Sequence, residues 1–306
     1  MKPTGLALET KNPKNLSSVG IKSLSNLGLI VTVCLAARCR DEEFIVTVSD
    51  RRLTYDEGMP GTDDAVMKFH FLADGWWLLY SGNNLSHLNG VIEHARNLLI
   101  IGGSDNVGLR GVRHAVCAAY QAARNNAAYE AFVLPHHYAT LAEFYERGLA
   151  NLGEKGFTQI TDKIAEFDLG LEFLVFGFSP DTGAKSHIFD VVNPGFHRDW
   201  DLEGFGIIGS GWRLALGSIT SRHQGDFLEV EDAVYRLCEA KFTAESAPGV
   251  GVATTVFILR YDGQVKALPR KDIQLLRETW DQSRRAPIPA NVTKIVRESL
   301  GDFVSP

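Results

Sequence analysis

The chain has 306 residues, with 31 Lys and Arg against 37 Asp and Glu, for a net charge of −6. Hydrophobic residues make up 45% and charged residues 22%, ordinary globular usage that excludes a disordered, collagen-like or coiled-coil chain. The mildly acidic balance, without a concentrated basic run, does not suit a protein whose main task is gripping a phosphate backbone.

Residues 1–31 read as a flexible leader, a propeptide or a mis-assigned start, because Lys, Ser, Asn, Gly and Leu follow one another there without sustained period. Four lysines (Lys2, Lys11, Lys14, Lys22) precede an apolar stretch from Leu29 to Ala37. That stretch starts late, is interrupted by Thr32 and precedes no Ala-x-Ala site, so no secretory signal is expected. No run approaches the roughly 20 apolar residues of a membrane span. Cys34, Cys39, Cys117 and Cys238 lack CxxC spacing and are too sparse for a disulfide framework, which makes a reducing cytoplasm the expected home.

Leu29–Ala37 and Phe44–Asp50 are β-rich runs around the polar segment Arg38–Glu43, the pattern of a hairpin. Phe69–Leu72 and Trp76–Tyr80, split by Ala73-Asp74-Gly75, predict a second. Leu85, Leu88, Val91, Ile92, Ala95, Leu98 and Leu99 recur at helical spacing until Gly102-Gly103. A second helix is expected from about Asn106, carrying Val112, Val116, Ala119 and Ala123 and continuing with breaks through Tyr145, in a helical insert that runs to Phe167. Strands follow at Glu172–Phe178, His187–Val192, Phe205–Ile208 and Thr254–Tyr261, with helices at Trp212–Ser221 and Val230–Phe242 between the last two. A helix at Lys271–Arg284 ends the domain, taken as 32–286, and 287–306 is a tail. Long helices between blocks of hairpins predict an α+β fold, with helices outside stacked antiparallel sheets rather than βαβ repeats.

Three motifs mislead. Gly204-Phe205-Gly206-Ile207-Ile208-Gly209 satisfies GxGxxG, but its apolar residues are themselves the strand, and the preceding His197–Asp201 is polar, so no dinucleotide site is expected. His136-His137 are adjacent and point apart, with no HExxH beside them. Cys34 and Cys39, five apart, face opposite sides of one strand.

The informative residues are Val31-Thr32-Val33-Cys34, the run Ile45–Asp50 followed by Arg51-Arg52-Leu53-Thr54, then Met67-Lys68-Phe69 and Tyr80-Ser81-Gly82. Further on come Phe173–Phe178, Ile207-Ile208-Gly209-Ser210-Gly211 before Ala215-Leu216-Gly217, and Gly249-Val250-Gly251 before Thr254–Leu259. In this order, over about residues 30–262, they resemble a proteasome-type β-subunit of the N-terminal-nucleophile hydrolases. The resemblance implies a four-layer αββα sandwich and a threonine-type endopeptidase that acts on peptides or unfolded protein and assembles as a homo-oligomeric ring. No metal or organic cofactor is implied.

The chemistry behind that implication is general. A Thr hydroxyl is a poor nucleophile until a base takes its proton, and a free α-amine, with a pKa of about 7.7–8.0, can do so near neutral pH. A nearby Lys favours the deprotonated hydroxyl and an Asp orients that Lys, while a backbone N–H at a strand-to-helix turn can stabilise the oxyanion. By resemblance those roles fall to Thr32, Lys68, Asp50 and Gly82, with Ser210 a supporting hydroxyl. Aligning Met67 instead of Lys68 would leave the site without its cation. Glu245 and Ser246 stand where the family carries a further acid and serine, but the match is too loose to assign.

While an amide joins Val31 to Thr32 there is no free amine and the site is inactive. One route is removal of the leader, although Val31 departs from the family's Gly. The favoured route is initiation at Val31, since a GTG-type codon can start translation in bacteria and removal of the initiator Met would expose Thr32. The alternatives are a catalytically inactive structural subunit and a small-molecule amidase using the same nucleophile.

Overall fold

The computed structural model describes residues 32–39, 42–52, 62, 64, 66–82, 85–103, 107–221, 229–284 and 292. The leader at 1–31 and all of the tail except Val292 lie outside the described residues, as do Leu53 and Thr54.

Both expected hairpins form. Strand β1 (Cys34–Cys39) pairs antiparallel with β2 (Phe44–Asp50), Cys34 opposite Ser49 and Cys39 opposite Phe44. The first strand runs further toward the turn than the sequence expectation, because Arg38 and Cys39 still pair and the chain reverses near Glu42, at φ 70°; Leu29–Val31 lie outside the described residues. Strand β3 (Phe69–Ala73) pairs with β4 (Trp76–Gly82) around Gly75.

A short 3₁₀ turn at Leu85–His87 leads into helix α1 (Leu88–Ile101), which ends at Gly102. The second helical region breaks, as expected, and its later part also kinks at Gly153, φ 67°. Helix α2 (Leu109–Phe132) stops, and α3 (Leu141–Glu166) starts afresh at Thr140, whose side chain accepts from Glu143 N–H while Glu143 reaches back to Ala139 N–H. A Thr followed three residues later by Glu is a helix-start signal that overrides the run of helical periodicity.

The remaining elements are β5 (Leu171–Ser179), β6 (Lys185–Val192), β7 (Phe196–Asp199), β8 (Phe205–Ile208), α4 (Trp212–Ser221), α5 (Val230–Ala244), β9 (Thr254–Arg260), β10 (Val265–Ala267) and α6 (Arg270–Arg284). They make a mixed α+β fold with two five-stranded antiparallel sheets, ordered β10-β9-β2-β1-β8 and β3-β4-β5-β6-β7. Strands β7 and β10 escape the sequence reading because they are short, exposed edge strands that bury no side-chain face.

Side-chain parity explains the core. Leu35, Val46, Val48 and Val256 of the first sheet pack against Ala215 and Ile219 of α4, Ala233 and Leu237 of α5, and Ile273 and Trp280 of α6. Trp76, Leu78, Phe173, Val175 and Phe189 of the second sheet pack against Val91 and Ala95 of α1 and Val112 and Val116 of α2. The alternate residues, Cys34, Ala36, Ile45, Leu79, Leu174, Phe176, Ile188 and Ile208, form a third cluster drawn from both sheets. Such strands are covered on both faces, so they read as continuous apolar runs instead of alternating. Among the described residues no helix is long and apolar enough to cross a membrane.

Candidate functional site

Hairpin register alone brings two of the candidate residues together. Thr32 and Val33 lead into β1, Asp50 ends β2, and Asp50 N–H donates to Val33 O at 3.2 Å, closing the 18-residue interval. Lys68 arrives from the second sheet, immediately before β3. Its Nζ donates to Asp50 Oδ1 at 2.7 Å and to Thr32 Oγ1, while Thr32 Oγ1 donates to Asp50 Oδ1. Lys68 is 3% exposed and Asp50 0%, whereas Met67 beside it is 51% exposed, so the cation at the site is Lys68.

A carboxylate this deep is tolerable only if its charge and lone pairs are met. Asp50 meets both demands. Besides Lys68, Oδ1 accepts from Val33 N–H at 3.3 Å, and Oδ2 accepts from Arg52 N–H at 3.3 Å and Gly251 N–H at 3.2 Å. Asp50 is thus a buried anchor and not the solvated strand end its arginine neighbours would allow. The ammonium favours the alkoxide form of the hydroxyl while the carboxylate, which holds the ammonium in place, opposes it.

Strand β8 pairs with β1, Cys34 opposite Ile208, and delivers Ser210 one turn beyond. Thr32 N–H donates to Ser210 Oγ at 3.3 Å, and Gly211 N–H donates to Thr32 O at 3.1 Å. Gly209 has φ 93°, and a Cβ there would lie 2.5 Å from Thr32 O and 2.7 Å from Thr32 Cγ2, so the backbone approach to Thr32 requires glycine. The GxGxxG motif therefore serves a strand and a tight turn against Thr32.

Gly82 belongs to the second sheet, at the end of β4 opposite Leu171, where a Cβ would meet Gly170 O at 2.3 Å. Its neighbour Ser81 donates to Glu172 Oε2 at 2.9 Å, and the same oxygen accepts from Gly209 N–H at 2.9 Å. Glu172 thereby ties the second sheet to the turn that abuts Thr32. Sequence reasoning missed it, although a lone acid inside Leu171–Phe178 was the available signal. Residues 83–84, which follow Gly82, lie outside the described residues.

Cys34 also borders the site, with its thiol donating to Tyr80 O at 3.3 Å. Burial drives its pKa up to about 12, with Lys68 opposing and Asp50 adding, so the thiol stays protonated and does not compete as a nucleophile. Cys34 and Cys39 do face opposite sides, one between the sheets and one toward the helices. Glu245 pairs with Lys241 and Arg277, and Ser246 Oγ donates to Thr243 O, so the structure gives neither a bond to Thr32. No protein-family profile matches the chain, and no curated protein matches it significantly.

Proposed function

We propose that this chain is an N-terminal threonine hydrolase of proteasome-like type, with a four-layer αββα architecture, that cleaves peptide bonds through an ester-linked acyl-enzyme. One observation carries the reading: Thr32 Oγ1 is bonded at once to a buried ammonium and a buried carboxylate, Lys68 and Asp50. A purely architectural strand has no need of that arrangement, since burying an ion pair gives little net stability against a well-packed apolar substitute.

In the proposed reaction a free Thr32 α-amine takes the hydroxyl proton as Oγ1 attacks the peptide carbonyl. The tetrahedral oxyanion is held by a backbone N–H at Gly82. Collapse breaks the C–N bond, the amine proton passes to the leaving nitrogen, and an ester remains on Oγ1. The same amine then deprotonates water, which attacks the ester and frees the acid and the threonine hydroxyl. Lys68 stabilises the developing alkoxide, Asp50 orients Lys68, and Ser210, 3.3 Å from the Thr32 nitrogen, orients the amine. Peptides or unfolded protein are the substrate class and a ring of identical subunits the assembly, both by the resemblance.

The test is intact-mass measurement of the natively expressed protein, paired with hydrolysis of a panel of fluorogenic peptide amides by the parent and Thr32→Ala. A mature chain beginning at Thr32 and a loss of at least about 1,000-fold in kcat/KM on substitution are expected. Hydrolysis by Thr32→Ala equal to that of the parent would overturn the reading.

A further inference from the structure

Helix α5 carries a lysine where an apolar residue would be expected. Lys241 lies in the buried run Leu237–Phe242 and is 0% exposed. An ammonium has three N–H donors, and all three are used: Glu245 Oε1 takes one, Gly251 O another at 2.8 Å and Val252 O the third at 2.8 Å. Arg277 of α6 doubles the arrangement, donating to both Glu245 oxygens at 2.6 Å and to Val252 O at 2.9 Å. The 250–252 turn is therefore gripped from behind by two cations sharing one carboxylate.

The same turn faces the site. Gly251 donates its N–H to Asp50 Oδ2 and gives its carbonyl to Lys241, so the two polar groups of one residue join the lysine to the carboxylate that holds Lys68 and Thr32. Strand β9 starts three residues on, with Thr254 paired opposite Asp50, leaving little slack between the turn and the sheet. We infer that Lys241 is a positioning residue for the Thr32 site, acting through the Gly251 N–H on Asp50; the inference rests on the function proposed above.

The clamp is titratable. The charged groups facing Lys241 are Glu245 on its own helix, Arg277 from α6 and Asp50 from β2, with the Cys238 thiol one turn back. Burial pushes the lysine down to about 8, helped by Arg277 and opposed by Glu245 and Asp50. A neutral amine has only two N–H groups, so one of the three acceptors loses its donor. The stability effect has the opposite sign. Between about 8 and the ordinary value of 10.5 the unfolded chain binds the proton that the folded chain has released, so this lysine makes folding more favourable as pH rises through that window. Activity falling while this contribution to stability grows is a signature that a merely structural lysine does not give. The α-amine, a base needed in its neutral form, shapes the acid limb instead.

The experiment uses the full mature chain as the parent, Lys241→Met and Lys241→Arg. NMR follows the Gly251 amide and the Asp50 carboxyl carbon from about pH 6 to about pH 10, and peptide hydrolysis is profiled over the same range. The Gly251 amide, which donates on the far side of Asp50 from Thr32, should respond in the parent with a midpoint near 8 and in neither variant, while the Asp50 carbon, which also senses the Thr32 α-amine, should lose only the part of its response that follows Gly251. In hydrolysis, Lys241→Met should lose at least about tenfold in kcat with KM within about twofold, while Lys241→Arg retains kcat and loses the alkaline limb. A Gly251 amide that does not titrate in the parent, or that titrates unchanged in Lys241→Met, overturns the inference. So does an alkaline limb shared by the parent and both variants. The parent and Lys241→Arg decide it if Lys241→Met does not fold. A parent without hydrolysis whose Gly251 amide still responds near pH 8, and does not in Lys241→Met, refutes the proposed function but leaves the linkage of Lys241 to Asp50 standing.

Discussion

Asp50 accepts three backbone N–H groups besides the lysine, and among the described residues its charge is met at contact distance by Lys68 alone. Removing that one cation leaves a buried carboxylate without a counter-charge, which costs about 3–5 kcal/mol. Lys68→Met should therefore lower the unfolding free energy by that amount, read as a drop in the urea midpoint at an unchanged m-value, as well as abolish turnover. An effect below about 1 kcal/mol would mean that Lys68 is dispensable to the pair. Glycine substitutions separate site geometry from chain stiffness. At Gly209 an added methyl meets Thr32 O at 2.5 Å in a left-handed backbone, so Gly209→Ala should cost about 1–3 kcal/mol and suppress hydrolysis. At Gly217, inside α4, nothing lies within 4 Å of the new methyl, so Gly217→Ala should stabilise by about 0.5–1 kcal/mol and leave hydrolysis alone. Thermal or urea unfolding of the two variants checks the difference in sign.

Among elements, the joint between β6 and the β7–β8 loop is set by one carboxylate. Asp201 binds His187 Nδ1 at 2.7 Å and Ile188 N–H at 2.9 Å, and Arg38 of β1 approaches it to 4.0 Å. Burial pushes the Asp201 carboxyl up, but the His187 bond, the Ile188 N–H and the charges of His187 and Arg38 outweigh it, so its pKa lies below the ordinary 3.8. A depressed carboxylate contributes stability that is present above 3.8 and is lost as pH falls through the folded value. Asp201→Asn should therefore narrow the gap to the parent as pH drops below about 4, read from unfolding midpoints across an acid series. Element by element, legibility followed burial. The two hairpins and the helices that bury a stripe were readable because apolar runs and their breakers agree. β7 and β10 bury nothing and leave no pattern, and a break between α2 and α3 was expected but its place was not, because helical periodicity lies on both sides of it. Thr32, Asp50, Lys68, Gly82 and Ser210 were singled out through the family resemblance, whereas Glu172, Gly251 and Lys241 make bonds that link distant strands and a helix, which no local spacing encodes.

For the whole molecule, the decisive relation is between the two sheets, because Thr32 and Asp50 belong to one and Lys68 enters from the other. Their registration is set beside the site by Phe69, the residue after Lys68. Its ring lies 4.2 Å from Phe257 of the first sheet and 6.0 Å from Phe176 of the second. Shortening that wedge should move Lys68 before it threatens the fold. Phe69→Leu is expected to cost about 1–2 kcal/mol in unfolding, since the site is only partly buried, yet to lower kcat by at least about tenfold. Ile188→Val, a smaller cut in the same intersheet cluster on β6, should cost about 0.5–1.5 kcal/mol and leave kcat within about twofold. Urea unfolding and peptide turnover, measured on both variants, decide the matter. If turnover falls equally in the two, the site depends on general core packing; a fall confined to Phe69→Leu ties it to the one contact that aligns the lysine of one sheet with the hydroxyl of the other.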